Sequence, residues 1–125
     1  MRARIPEDCD RLFGELVNAG NLDALVDLYE PGASLLQPDG SAAVGHAAIR
    51  AALGELLGSK PRIQMKTARM GKGGGGDLAL LYSEWLLATT GPDGARTELA
   101  GKSVEVVRRQ ADGSWKFAID DPHPR

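Results

Sequence analysis

Two long predicted strands joined by a short turn constrain the fold of this chain more than any other feature. Residues 78–90 and 96–109 are bounded on both sides by glycine-rich turns, and Gly91-Pro92-Asp93-Gly94 separates them. A strand of about 13 residues extends about 43 Å at about 3.3 Å per residue. A sheet of this length in a chain of 125 residues has to curve. Its concave face then forms a cone, and a cone can hold a pocket.

Helical patterns precede these strands. The first helix is predicted over residues 6–20, where Asp10 is interpreted as a first-turn charge that favours the helix dipole. A second helix begins after Asn21 and stops at Pro31-Gly32, and a third begins near His46 and ends at Gly58. The remaining predicted strands cover residues 33–37, 41–44, 62–70 and 114–121. Helices followed by an antiparallel meander predict one α+β domain over residues 1–125, in which a strongly curved antiparallel sheet wraps around the N-terminal helices.

Composition excludes several functional classes. The net charge of −2 argues against a nucleic-acid surface, which needs many basic contacts. The N-terminal residues lack the apolar segment of a signal peptide, and no apolar run approaches the length of a membrane span. The single cysteine, Cys9, cannot form an internal disulfide, which fits a cytoplasmic location. The spacing of Cys9, His46 and His123 suits no metal, so no metal or cofactor is predicted.

The turn at Asp112-Gly113 predicts which residues of the meander share a face. If this is a two-residue hairpin turn, Glu105 lies opposite Asp120 and Val107 lies opposite Ala118. One predicted face carries Ser103, Glu105, Val107, Asp120, Leu80, Tyr82, Glu84 and Leu86. The other carries Leu81, Ser83, Trp85, Leu87, Trp115 and Phe117. Composition alone would put this second, more apolar face against the helices. Because both faces are apolar, the helices can cover one and a second subunit the other, so we predict a sheet-to-sheet homodimer.

Three carboxylates fall on the first of these faces, where one interpretation is that they line a pocket. Glu105 and Asp120 are directly opposed, and Glu84 lies on the neighbouring strand. Two adjacent carboxylates disfavour joint ionisation, so the pKa of one should rise towards the range of a general acid. The alternative is a solvated face, or carboxylates paired with arginines such as Arg50 or Arg69.

Several stretches of the chain resemble the nuclear-transport-factor-2-like superfamily, within it the ketosteroid-isomerase and SnoaL-like polyketide-cyclase branch. They are residues 17–26, Tyr29, residues 33–38 and Gly45-His46-Ala47-Ala48-Ile49-Arg50. Residues 104–109 and 112–116 are similar to small bacterial members of unknown function. The resemblance implies a cystatin-like cone, a pocket inside it and a dimer formed by the face opposite the helices. It also implies that Leu80, Tyr82, Glu84 and Leu86 point into the pocket.

The resemblance does not carry over the activity of ketosteroid isomerases. Where these enzymes have an aspartate base this chain has Gln37, and where they have a tyrosine donor it has Phe13. Neither residue can replace the original, because an amide does not abstract a proton and a phenyl ring does not donate a hydrogen bond. An acid near Glu105 is retained, and Asp120 or Asp121 matches the late-strand aspartate of cyclase-like relatives.

Three functional hypotheses follow. The first is a domain that binds a small apolar or aromatic molecule through Phe13, Gln37, Leu80, Tyr82, Ser103 and Val107. The second is an isomerase or cyclase-like enzyme in which Asp120 or Glu84 is the acid/base, with Glu105 as a further catalytic carboxyl. The third is an association domain whose pocket is incidental.

Overall fold

The computed structural model describes residues 2–124. Its helices are α1 (Asp8–Ala19), α2 (Leu22–Asp27) and α3 (His46–Gly58). Its strands are β1 (Tyr29–Leu36), β2 (Ala42–Val44), β3 (Arg62–Gly73), β4 (Leu78–Thr90), β5 (Arg96–Arg109) and β6 (Trp115–Asp121). One turn of 3₁₀-helix, Gly74–Gly76, connects β3 to β4.

The six strands form one sheet in the order β2-β1-β6-β5-β4-β3. The predicted α+β class, with a curved sheet and helices against it, is confirmed. One pairing departs from the antiparallel pattern, because β1 and β6 run parallel. These two strands are not joined by a hairpin: α3 and the β3–β5 meander lie between them in the chain, which allows them to run in the same direction.

Local chemistry explains the helix ends near the N-terminus. Gly20 ends α1 in the left-handed conformation with a φ of 68°, and its N–H bonds to the carbonyls of Leu16 and Val17. Asn21 begins α2, since its side chain accepts a hydrogen bond from the Ala24 N–H at 3.1 Å. The second helix ends earlier than predicted, and β1 already begins at Tyr29. Pairing with β6 overrides the helical pattern, as the Phe117 N–H bonds to the Leu28 carbonyl at 2.8 Å.

The assignment of β4 to a face was wrong by one residue. Ser83 pairs with Ser103 and Leu81 with Glu105, so the odd-numbered residues of β4 share the concave face with Ser103 and Glu105. The connection between the strands has five residues, closed by a bond from the Gly91 N–H to the Ala95 carbonyl at 2.8 Å. Because this number is odd, odd-numbered residues of β4 lie opposite odd-numbered residues of β5, and even-numbered residues lie opposite even-numbered ones. The predicted pocket residues of β4 therefore face outwards: Leu80, Tyr82, Glu84 and Leu86.

The predicted two-residue turn at Asp112-Gly113 is wrong. Residues 110–114 connect β5 to β6, so Val107 pairs with Phe117 instead of Ala118. This register puts Trp115 and Phe117 on the concave face, where both are buried. A β-bulge at Ala118 then shifts the register by one residue, which restores the predicted pairing of Glu105 with Asp120.

The core lies between the concave face and the helices. It is formed by side chains of α1, α2 and α3 and by the inward residues of the sheet: Cys9, Leu12, Leu16, Val17, Leu25, Val26, Ile49, Leu53, Leu81, Val107, Trp115 and Phe117. The aromatic rings of Tyr29 and Phe117 pack at 5.0 Å between centroids. No helix within residues 2–124 has the length and apolar character needed to cross a bilayer.

The outer face of the sheet is partly apolar and open. Tyr82, Leu86 and Ile119 expose 36%, 56% and 45% of their surface there. The guanidinium of Arg69 lies 4.6 Å from the centre of the Tyr82 ring, and Glu84 pairs with Lys66 at 3.7 Å. Neither arginine considered from the sequence pairs with a pocket carboxylate, because Arg50 binds Asp23 at 2.8 Å.

Candidate functional site

A cavity of about 240 Å³ opens between the helices and the concave face of the sheet. Its walls come from α1, α3 and five strands, and the chain after β6 closes one side. The apolar lining consists of Phe13, Leu35, Leu36, Pro38, Ala52, Leu53, Leu56, Ile63, Met65, Trp85, Leu87, Phe117 and Pro122. The polar lining consists of Gln37, Ser103, Glu105, Asp120 and His123.

The structure brings together five of the residues predicted from sequence. They all line the cavity: Phe13, Gln37, Ser103, Glu105 and Asp120. Val107 is fully buried in the core next to them. The predicted placement of Leu80, Tyr82 and Glu84 in the pocket is wrong, because these side chains lie on the outer face and do not line the cavity.

Asp120 is buried at one end of the cavity, and its environment raises its pKa. Tyr29 donates a hydrogen bond from its hydroxyl to Asp120 Oδ2 at 2.6 Å. Burial raises the pKa of Asp120, the Tyr29 hydrogen bond lowers it, and the charges of Asp10 and Asp121 raise it; the net result is about 7. Asp120 can therefore both gain and release a proton near neutral pH.

Glu105 is almost completely buried and holds its proton more firmly. Burial is the main cause that raises its pKa, followed by a hydrogen bond with Asp10 and the charges of Asp10 and Asp120. A hydrogen bond from Ser103 lowers the pKa, and the net value is about 11. The carboxyl group of Glu105 is thus neutral at physiological pH.

Asp10 completes this cluster of carboxyl groups and was missed as a site residue. It is 1% exposed, and its Oδ2 accepts a hydrogen bond from Thr67 Oγ1 at 2.6 Å. Its other oxygen, Oδ1, and Glu105 Oε1 are both buried with no further partner among the described residues. Because Glu105 is protonated and its carboxyl group hydrogen-bonds to Asp10, a proton on Glu105 Oε1 would satisfy both of these oxygens. A sequence signal existed: Asp10 precedes Phe13 by three residues and Val17 by seven, which places it on the apolar side of α1.

Tyr29 was also missed, because the sequence pattern placed it on the apolar side of a helix. In the structure it belongs to β1, is fully buried and has a pKa raised well above the ordinary value by burial and by Asp120. It therefore remains a neutral donor to Asp120.

Two serines link Glu105 to the cavity. Ser83 Oγ donates to Glu105 Oε2 at 3.0 Å, and the hydroxyls of Ser83 and Ser103 are hydrogen-bonded to each other. Ser83 is buried behind the lining, whereas Ser103 forms part of it. The hydrogen bonds thus form a continuous chain from Thr67 through Asp10 and Glu105 to Ser103.

Trp85 lines the cavity, and the same residue is among those around a hollow on the outer face, together with Lys66, Leu86 and Lys102. Its side chain lies on the concave face, like those of the other odd-numbered residues of β4. A Cβ atom at Gly101, its cross-strand partner, would overlap the indole ring, so only glycine fits there. The ring of His123 lies 6.0 Å away, edge to face. The indole N–H is buried without a hydrogen-bond partner in residues 2–124.

The chemistry available in this part of the chain is acid–base chemistry. Across residues 2–124, no group of three or more His, Cys, Asp and Glu side chains is arranged to hold a metal ion. Asp120, with a pKa of about 7, can take up and release a proton near neutral pH.

Comparison with solved structures places the fold among cystatin-like proteins. A ketosteroid isomerase-like protein from Erwinia carotovora atroseptica superposes with a TM-score of 0.80 at 19% identity, covering 91% of this chain and 88% of that one. A candidate calcium/calmodulin-dependent protein kinase type II association domain from Thiobacillus denitrificans gives 0.76 at 22% identity over 99% of both chains. An NTF2-like protein with a cystatin-like fold from Novosphingobium aromaticivorans gives 0.75 at 17% identity over 92% and 76%. At these identities the likeness concerns the fold.

Sequence comparison identifies the family. No curated protein sequence matches the chain. The SnoaL-like domain family matches residues 10–117, which include most of α1, the cavity-lining strands up to Phe117 and the Asp10–Glu105 pair. This match establishes that the chain belongs to the SnoaL-like domain family.

Proposed function

We propose that this protein binds a compact, mostly apolar molecule in the cavity of its cone. The observation that carries the proposal is the cavity itself, whose apolar walls converge on a few polar groups at one end. Its volume of about 240 Å³ suits a molecule of one substituted ring, since benzene occupies an engineered cavity of about 150 Å³. An apolar ring would gain free energy by leaving water for this lining.

A cavity-filling substitution tests the binding proposal. Ala52 on α3 lines the cavity, whereas Ala51 beside it is exposed. Leucine has nearly the helix propensity of alanine, so Ala52→Leu and Ala51→Leu differ mainly in where the added carbons lie. We expect Ala52→Leu to weaken the binding of monocyclic aromatic probes at least tenfold in ligand-observed NMR, and Ala51→Leu to leave it unchanged. Equal binding by both variants would show that the probes do not occupy this cavity.

A second candidate function is acid–base catalysis at Asp120, favoured by its pKa of about 7. Asp120→Asn keeps an oxygen that can accept the Tyr29 hydrogen bond but loses the ability to take a proton. We expect the unmodified protein to catalyse deuterium incorporation next to the carbonyl of a small cyclic ketone, such as 2-cyclohexenone, in D₂O. Asp120→Asn should lower that rate about 100-fold or more. Mass spectrometry of the ketone measures both rates, and no enhancement over buffer would remove the catalytic proposal while leaving binding intact.

We also propose that the outer face of the sheet forms a homodimer. The support is the exposure of Leu86, Tyr82 and Ile119 on one face, together with the association domains among the superposed structures. Light scattering after size exclusion should give twice the chain mass at micromolar concentration, and Leu86→Lys should give the monomer mass. Leu99→Lys is the matched control. Leu99 is also 56% exposed, but it pairs with Leu87 and therefore lies on the face of the sheet opposite to that of Leu86. A monomer for the unmodified chain would contradict the dimer.

A further inference from the structure

We propose that the polar end of the cavity is built to accept hydrogen bonds, so that the molecule selected there presents a donor, a hydroxyl or an N–H, to Ser103 and Asp120. The proposal rests on the binding function above and adds the chemical class of the ligand. It follows from the direction of each hydrogen bond in the chain that runs from α1 to the cavity wall.

The first step is the proton between Asp10 and Glu105. Asp10 Oδ1 and Glu105 Oε1 are both fully buried and have no other partner among the described residues. Two facing carboxylate oxygens without a proton would repel each other in a medium of low polarity. One shared proton satisfies both oxygens. Glu105 Oε2 is then free to accept, and it does so from Ser83 at 3.0 Å.

The second step is the orientation of the two serine hydroxyls. A serine hydroxyl has one hydrogen to donate, and Ser83 gives its hydrogen to Glu105 Oε2. In the contact between the two serines Ser83 must therefore accept, and Ser103 must donate. Glu105 is the other acceptor within reach of Ser103. Whether Ser83 or Glu105 accepts it, the hydroxyl hydrogen of Ser103 points into the protein. The lone pairs of Ser103 Oγ are then directed towards the cavity.

The third step is Asp120, which lies opposite Glu105 on the neighbouring strand. Asp120 Oδ2 receives the hydroxyl hydrogen of Tyr29. Among the described residues, Tyr29 is the side chain that bonds to the Asp120 carboxylate, so the other carboxylate oxygen is available as an acceptor. Ser103 and Asp120 therefore offer lone pairs from adjacent strands. A ligand that offers only a carbonyl or ether oxygen could not donate a hydrogen bond to either residue.

A set of probes of equal shape tests this polarity. 4-Ethylphenol carries a donor, 4-ethyltoluene replaces the hydroxyl by a methyl group, and 4-ethylanisole keeps the oxygen but cannot donate. Binding is measured by ligand-observed NMR at pH 8, where the phenol is neutral and Asp120, with a pKa of about 7, is ionised. We expect 4-ethylphenol to bind at least tenfold more tightly than either analogue, because a site with unpaired buried acceptors rejects a molecule that leaves them unpaired.

Substitutions test whether the preference for a ligand that donates a hydrogen bond comes from Ser103 in the cavity wall. Ser103→Ala should reduce the preference for 4-ethylphenol over 4-ethyltoluene severalfold, whereas Ser34→Ala should leave it unchanged, since Ser34 is a strand serine that does not line the cavity. If Ser103→Ala does not fold, the three probes on the unmodified chain still decide. Equal affinity for the three, or tighter binding of the anisole, would overturn the inference and leave the binding function standing. Failure of all three to bind would overturn both.

Discussion

Replacement of Glu105 by alanine is expected to lower the free energy of unfolding by about 3 kcal/mol or more, because it breaks a buried pair of acids. Asp10 would keep its hydrogen bond from Thr67, but its Oδ1 would remain buried without a partner. Ser83 would lose its acceptor at the same time. The void left by the side chain adds a packing cost. Urea unfolding at pH 5, followed by tryptophan fluorescence, measures the change, because this pH lies close to the ordinary Glu pKa of 4.5 and the ionisation of Glu105 in the unfolded chain then adds little to the comparison.

Glu105→Gln is the matched control for this substitution. The glutamine amide can donate to Asp10 Oδ1 while its oxygen accepts from Ser83, so every hydrogen bond of the neutral acid is preserved. We expect it to cost less than about 1 kcal/mol. If alanine and glutamine destabilise the protein equally, the proton does not lie between Asp10 and Glu105. If neither destabilises it, the pair contributes nothing to the fold.

The stability of the folded chain is expected to decrease as the pH rises from about 5 to 8. Asp120 holds its proton up to about pH 7 in the folded chain, whereas an exposed aspartate releases it near 3.8. The pKa of Glu105 likewise rises from 4.5 to about 11 on folding. Between these limits the folded state binds more protons than the unfolded state, so raising the pH favours unfolding. This is opposite to the usual behaviour of salt-bridged carboxylates, whose pKa values fall on folding.

The expected loss is at least about 2 kcal/mol between pH 5 and pH 8, since Asp120 alone contributes about 1.4 kcal/mol per pH unit up to its folded pKa of about 7. Urea unfolding at several pH values gives the slope. Asp120→Asn should flatten the slope up to about pH 7, and Glu105→Gln should flatten it over the whole range. Greater stability at pH 8 than at pH 5 would mean that both groups ionise in the folded chain without penalty.

Most element boundaries could be predicted because turn residues mark them. Residues 78–90 and 96–109 were predicted as strands to the residue, since glycine-containing turns bound both. The faces were predicted less well than the boundaries. The five residues between the strands ending at 90 and beginning at 96 fix the facing residues of β4 and β5, but the family resemblance indicated the other face of β4. The five-residue connection around Asp112-Gly113 and the bulge at Ala118 leave little trace in the sequence.

The candidate site was predictable where its residues are close in sequence. Glu105 and Asp120 were paired by counting back from the turn at Asp112-Gly113, and the bulge left that pairing in place. Tyr29 lies 91 residues from Asp120, and no local pattern connects them. Asp10 carried a usable signal in its position on the apolar side of α1, but a first-turn acid also fits the helix dipole. Short-range counting therefore finds cross-strand partners, and misses partners brought together by the tertiary fold.

The shared position of Trp85 has a thermodynamic consequence for the two proposed binding events. Its indole packs over Gly101 on the concave face, and the segments of β4 and β5 that carry these two residues border the hollow on the outer face. A molecule that displaces the ring from inside would shift these segments and change the surface offered to a second subunit. By linkage, the factor by which dimerisation alters ligand affinity equals the factor by which the ligand alters dimerisation. Ligand affinity would then depend on protein concentration, and Trp85 fluorescence would report both equilibria.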